Sequence, residues 1–163
     1  MLSSKTVAVV IPAYNEESQI VNVLKSIPEF VDKIIVVNDG SKDDTESVVL
    51  DYIKRDKKGL NIEKVQEEFP KSNFYNAEWP YQRLLEIEDE ELPDAEVMND
   101  NPNEDRVILL SLKKNEGVGT AISRGYKWSK DHGIDCTAKL DGDGQMDSNE
   151  LLSICSPVVE DGI

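Results

Sequence analysis

An α/β domain built on a mostly parallel sheet, with helices on both faces, is the fold class this sequence predicts, and three observations carry the prediction. Short apolar, β-branched runs at 6–11, 33–37, 106–112 and 134–140 read as strands buried on both faces. Segments of helical period fall between them, and that alternation implies right-handed crossovers and parallel pairing. Polar residues then collect where each run ends, which is where open parallel sheets bind ligands.

A length of 163 residues is one domain's worth of chain, and 39% apolar content is enough for a real core. The formal net charge of −15 argues against nucleic acid or an anionic membrane as a direct partner. The charge is uneven: residues 60–105 hold 14 acidic and 3 basic side chains, a net −11. Cys136 and Cys155 lack metal-motif spacing and fall in a predicted strand and helix, so reduced, buried thiols in a cytosolic compartment are expected. The first apolar run ends at Pro12, too short for a signal peptide's core, and no run in the chain is long enough to span a membrane.

Taken in order, Thr6 to Ile11 forms the first strand and Pro12, which cannot donate to a ladder, ends it. Asn15 is placed as an N-cap, with Glu16 and Glu17 at the positive end of a helix carrying Ile20, Leu24 and Ile27 and stopped by Pro28. Lys33 to Val37 is the second strand. Asp39-Gly40-Ser41 turns the chain, and Ser41 with Asp44 resembles a capping box for a helix with Thr45, Val48, Val49, Tyr52 and Ile53 on one face.

From about 57 to 105 the rhythm breaks. This insertion holds four of the seven prolines and the acidic run 86–91, yet also five of the ten aromatics, Phe69, Phe74, Tyr75, Trp79 and Tyr81. The expectation is a partly ordered segment at 70–85 and an exposed, mobile loop at 86–105. A strand at 106–112 follows, then a turn at 113–119 and a helix with Ala121, Ile122, Gly125 and Tyr126 on one side. Gly125 there marks close packing on the sheet. His132, beside Gly133, reads as an exposed helix C-terminus. After the strand at 134–140, Asp147 caps a last helix holding Leu151, Leu152 and Cys155, with Glu150 as its capping-box partner, and a turn is expected at Asp161-Gly162.

The chemistry concentrates in Leu140-Asp-Gly-Asp-Gly-Gln-Met-Asp147. Asp141 and Asp143, two residues apart just past a strand, can turn several oxygens toward one point, the geometry a hard divalent cation wants. The competing reading is a polar turn. Tyr14, Asn15, Glu16, Asp39 and Asn115 gather at the other strand ends. Familiar alternatives fail. Gly117-x-Gly119 lacks the third glycine of a dinucleotide fingerprint, no P-loop is present, and an EF-hand register from Asp141 puts Met146 and Leu152 where Gly and Glu are required.

Val10-Ile-Pro-Ala-Tyr-Asn-Glu-Glu17, Ile35-Val-Val-Asn-Asp-Gly-Ser41, Lys114-Asn-Glu-Gly-Val-Gly119 and the 140–147 stretch together resemble the successive motifs of family 2 glycosyltransferases. These are inverting enzymes of the Rossmann-like GT-A fold, and the last motif is nearest the dolichyl-phosphate mannose synthase and polyprenyl-phosphate glycosyltransferase branch. The resemblance covers 6–56 and 106–161. It implies that Pro12, Ala13 and Tyr14 line a nucleotide base with Glu16 nearby, that Asp39 bonds the base or ribose, and that Arg124 approaches the diphosphate. It implies that Asp141 contacts ribose, sugar or metal, and that Asp143 and Gln145 face Mg²⁺ or Mn²⁺. The donor is then a UDP- or GDP-linked sugar, and the acceptor, polyprenyl phosphate or a glycan, is left open.

Two departures stand out: Met146 replaces the usual His after the Gln, and the family's acceptor half, with any catalytic base, lies beyond Ile163. The chain is therefore expected to be a single donor domain over 1–163, weakly active alone, with no membrane segment of its own. Its full-length parent is expected in the cytoplasm or at the cytoplasmic face of a membrane. The alternatives are a non-catalytic nucleotide- or partner-binding module and a sugar-nucleotide pyrophosphorylase. The latter wants a Gly-rich loop with a basic residue after its first strand, where this chain has Pro-Ala-Tyr-Asn-Glu.

Overall fold

The computed structural model describes residues 1–56, 59–65 and 92–161; the expectations for 70–85, for the acidic run 86–91 and for a turn reaching Gly162 lie outside these. Its sheet has the order β3-β4-β2-β1-β5. β1 (Val7–Ala13), β2 (Lys33–Asn38), β4 (Val107–Leu112) and β5 (Cys136–Lys139) pair in parallel. The short β3 (Ala95–Val97) joins antiparallel at the β4 edge. α1 (Ile20–Ser26), α2 (Thr45–Ile53) and α4 (Leu151–Asp161) belong with one apolar cluster, and α3 (Val118–Asp131) covers the other face. This is the mostly parallel α/β arrangement that the β-branched runs predict.

Alternation along β1 explains both layers. Val7, Val9 and Ile11 face the α1/α2/α4 side, while Ala8 and Val10 face α3, and all five are fully buried. Each such Val or Ile side chain contributes about 1.5–3 kcal/mol on burial. A Cβ added at Gly125 would come within 2.8 Å of Val10 Cγ2, so α3 lies on the sheet closer than any side chain at 125 permits. The buried face of α3 is Ala121, Gly125, Trp128 and Ser129; Tyr126, expected on that face, is rotated out and exposed.

Several local expectations are corrected. β1 does not stop before Pro12 but runs through it, with Pro12 beside Val37. Val10 presents its carbonyl to Leu140 on the β5 side. By alternation Pro12 faces that side too, beyond the last residue of β5, so its missing N–H costs no ladder bond. Asn15 is not a helix cap: it has a left-handed φ of 57°, and α1 begins later, at Ile20. The Ser41 hydroxyl does not close a capping box; it accepts from Asn15 N at 3.0 Å. Asp147 does cap the final helical segment, through Asn149 N at 2.9 Å rather than through a box with Glu150.

Part of the expected mobile loop is ordered. Asn99 Nδ2 donates to the Asp105 carboxylate at 2.9 Å and the Val107 carbonyl at 2.8 Å, while Asn99 Oδ1 accepts from Leu109 N at 2.8 Å. Lys33, fully buried, extends Nζ to the carbonyls of Pro102, Asn103 and Asp105 at 3.3, 2.7 and 2.6 Å. Three carbonyl acceptors replace the water a buried ammonium loses. His132 is half-buried rather than exposed: it stacks on Trp128 with ring centroids 3.7 Å apart, and Nδ1 lies 2.7 Å from the Trp128 carbonyl. Cys136 and Cys155 are free and buried, and burial, then the neighbouring Cys136 thiol, pushes Cys155 up to about 11.

Candidate functional site

The chain runs from β1 outward to β2 and β4, then returns through α3 to place β5 on the other side of β1. That reversal makes the carboxyl end of β1 and β5 a topological switch point, where doubly wound sheets open a crevice. A cavity of about 300 Å³ lies there. The end of β1 and the loop after it contribute Pro12, Ala13, Tyr14 and Glu16; the turn after β2 contributes Asp39; the loop after β4 and the first residue of α3 contribute Asn115, Gly117 and Val118; and the loop after β5 contributes Asp141, Gly142 and Asp143. Four strand ends thus share one wall.

Asp39 is only 3% exposed and spans two of these loops. Its Oδ1 accepts from Glu116 N at 2.7 Å and its Oδ2 from Gly117 N at 2.9 Å. The carboxylate expected to meet base or ribose therefore first ties the loop that opens α3, and each oxygen keeps further acceptor capacity. Gly40 makes this crossing possible. At φ +63° it needs the left-handed region, and a Cβ there would lie 2.6 Å from Asn115 N. Gly117, at φ +94°, precedes the first turn of α3, so the positive end of that helix dipole opens at the cavity wall.

On the opposite side Gly142 is buried against Pro12, where a Cβ would sit 3.1 Å from the Pro12 carbonyl oxygen. That contact presents the flanking Asp141 and Asp143 to the cavity. Asp141 pairs with Lys139 Nζ, and Asp143 Oδ1 accepts from Gln145 N at 3.0 Å. Burial, then the charges of Asp143 and Asp43, push the Glu16 carboxyl above its ordinary range. Glu16 thus lies within the electrostatic reach of Asp143, although the two come from different strands. Tyr14, 40% exposed, supplies a flat aromatic surface on the wall.

Two residues of the expected set are not brought here. Arg124 lines a separate cavity beside β3, where Nε donates to the Pro93 carbonyl at 2.7 Å and the guanidinium lies 3.8 Å from Asp94. Its helical position turns it toward the sheet edge, away from the switch point. Gln145 is exposed and outside the cavity lining, with only its backbone N–H engaging Asp143. Conversely, Gly117, Val118 and Gly142 were not singled out as site residues. Their signal was a glycine directly before a helix that follows a strand, and a glycine between two Asp. Among the described residues no three His, Cys, Asp or Glu side chains converge on one point. Asp141 and Asp143 nonetheless suit a cation such as Mg²⁺, which commonly takes one or two carboxylates and completes its shell with water and substrate phosphate.

Residues 8–76 match the family model described as glycosyl transferase family 2. Across 161 residues, 98% of this chain and 50% of the relative, the sequence is 29% identical to a UDP-N-acetylglucosamine–dolichyl-phosphate N-acetylglucosaminyltransferase of Methanococcus voltae. Over 63 residues, 32% of this chain and 20% of the relative, it is 44% identical to the dolichyl-phosphate beta-glucosyltransferase ALG5A of Trichomonas vaginalis. The chain spans half the length, or less, of these relatives. No described helix is long and apolar enough to cross a membrane. By its family match over residues 8–76 and these relatives, the chain is similar to members of glycosyl transferase family 2.

Proposed function

We propose that this chain is the donor-binding half of an inverting glycosyltransferase that takes a nucleoside-diphosphate sugar and delivers the sugar to a polyprenyl phosphate. The observation that carries the reading is the convergence of four strand-end loops on one cavity lined by an aromatic ring, a helix N-terminus and a pair of carboxylates. Pro12, Ala13 and Tyr14 offer an apolar and aromatic surface to a base. Asp39 offers an acceptor to base or ribose N–H or O–H groups. The start of α3 suits a diphosphate. Asp141 and Asp143 would hold Mg²⁺ or Mn²⁺, with Gln145 reaching the same ion only after its side chain turns inward. Such a cation, when bound, offsets charge developing on the departing nucleoside diphosphate.

A UDP-linked donor is favoured over a GDP-linked one because the relative aligned across 98% of the chain is named for a UDP sugar. A polyprenyl phosphate is a lipid, so the acceptor meets this site at a membrane surface, on the cytoplasmic side where nucleotide sugars are at hand. The test is calorimetric titration of UDP and GDP with and without Mn²⁺. UDP binding that needs Mn²⁺ and is lost in Asp143→Ala supports the reading. Binding of neither nucleotide overturns it and favours a partner-binding module.

A further inference from the structure

The loop after β1 carries Tyr14 and Glu16 into the cavity, yet it makes an abrupt left-handed step at Asn15, φ 57°. Asn enters this region more readily than other residues with a side chain, and here its neighbours are also tied down. The hold comes from the loop after β2. We propose that Asp43 and Thr45 are positioning residues that fix the Tyr14–Glu16 wall and so set nucleotide affinity without contacting the nucleotide. The proposal rests on the nucleotide-binding reading above.

Neither Asp43 nor Thr45 lines the cavity. Thr45 is the first residue of α2 and is fully buried. Its hydroxyl has one proton, which it donates to Asp43 Oδ1, leaving its lone pairs to accept from Glu16 N at 2.8 Å. The other Asp43 oxygen accepts from Glu17 N at 3.1 Å. One carboxylate thereby orients a hydroxyl and, through it and directly, pins two consecutive amides of the site loop to a helix start. Water can reach the half-buried Glu16 N–H but cannot tie it to the start of α2, so deleting the hydroxyl frees the loop to move.

Calorimetric titration of UDP with Mn²⁺ tests this on Thr45→Val, Thr45→Ser and Asp43→Asn, each under conditions where far-UV circular dichroism shows a folded chain. Thr45→Val keeps the shape and loses the hydroxyl; it is expected to weaken binding about tenfold, about 1.4 kcal/mol, the scale of one hydrogen bond. Thr45→Ser restores the hydroxyl and stays within about threefold of the parent. Asp43→Asn keeps one acceptor oxygen of two, lies on the surface where folding tolerates it, and falls between. A role confined to holding the fold together would lower the unfolding midpoint of these variants while leaving the affinity of the folded protein unchanged. That result, or a Thr45→Ser variant as weak as Thr45→Val, overturns the proposal and leaves the nucleotide reading intact. Should Thr45→Val not fold, Asp43→Asn binding like the parent overturns it alone. A parent chain that binds neither UDP nor GDP overturns the nucleotide reading, and the positioning role with it.

Discussion

Replacing Asp39 by Asn tests whether this buried carboxylate is a structural tie, apart from the nucleotide contact proposed for it. Both oxygens accept backbone N–H groups, from Glu116 at 2.7 Å and from Gly117 at 2.9 Å. The amide of Asn keeps one acceptor and presents an N–H₂ in place of the other. Whichever way it is turned, a donor faces a donor. A hydrogen bond to a charged group contributes about 1.5–3 kcal/mol, and leaving its partner unsatisfied adds a further cost of similar order when buried. Loss of the negative charge beside the start of α3 removes about 0.3–1 kcal/mol more. With Glu116 and Gly117 half-buried, so that water recovers some of the loss, the sum is about 2–4 kcal/mol. For a chain of this length that lowers the melting temperature by about 4–16 °C. Urea unfolding followed by far-UV circular dichroism reads it directly, with the slope unchanged. Asp141→Asn serves as the control: Asp141 is 38% exposed at its side chain and, among the described residues, paired with Lys139, so its stability cost is within about 1 kcal/mol, while Mn²⁺-dependent nucleotide binding is expected to be lost. An Asp39→Asn variant within about 0.5 kcal/mol of the parent would refute the tie, since that is the range of ordinary surface substitutions.

Gly125→Ala drives a Cβ to within 2.8 Å of Cγ2 of the fully buried Val10. The overpacking cost of about 1–3 kcal/mol exceeds the gain of up to about 1 kcal/mol from better helix propensity, so a net loss in denaturant midpoint is expected. His132 is held below its ordinary range chiefly by burial, with Lys64 and Lys33 adding to the shift and the Trp128 carbonyl and Asp131 opposing it. The unfolded chain therefore takes up this proton first. Stability is full above about pH 6.5 and falls as the pH drops through that value, and in His132→Gln this fall is absent from unfolding curves taken between pH 7.5 and 5.

The sheet was legible because its strands are short, continuous and β-branched, a pattern that only burial on both faces explains. The convergence of Tyr14, Glu16, Asp39, Asn115, Asp141 and Asp143 was legible from position alone, because parallel strands place their following loops at one end. What escaped the sequence were side chains whose role depends on distant backbone. In sequence Lys33 is simply the first residue of the second strand, and only the folded chain reveals three carbonyls from 102, 103 and 105 closing over its ammonium. Ala95–Val97 is too short and too polar to read as a strand, and it exists because Asn99 and the Lys33 tripod hold its neighbours against β4. Arg124 was assigned by motif position, but one helical residue's direction depends on how α3 is rotated, and the close contact at Gly125 sets that rotation. Proline's missing N–H makes Pro12 read as a strand stop, but what matters is that β5 has already ended beside it.

The cavity's charge bears on the cation more strongly than the Asp-x-Asp spacing does. Its described lining includes the carboxylates of Glu16, Asp39, Asp141 and Asp143 and no Lys or Arg side chain. The nearby ammonium of Lys139 is already paired with Asp141. The Glu16 carboxyl is raised chiefly by burial, and the negative charge of Asp143 adds to the shift. A nucleoside diphosphate brings two or three further negative charges into this cavity, against which the start of α3 supplies only about half a positive charge. Binding without a divalent cation is thus opposed by electrostatics, and this fixes a sign. In EDTA, residual UDP affinity should rise as NaCl is increased from about 20 to 200 mM, because screening on a scale of about 10 Å weakens repulsion. With saturating Mn²⁺ the ion converts repulsion to attraction, and the same salt increase should lower affinity. Salt that weakens UDP binding equally in EDTA and in Mn²⁺ would mean that the nucleotide meets a net positive surface, which this cavity does not offer.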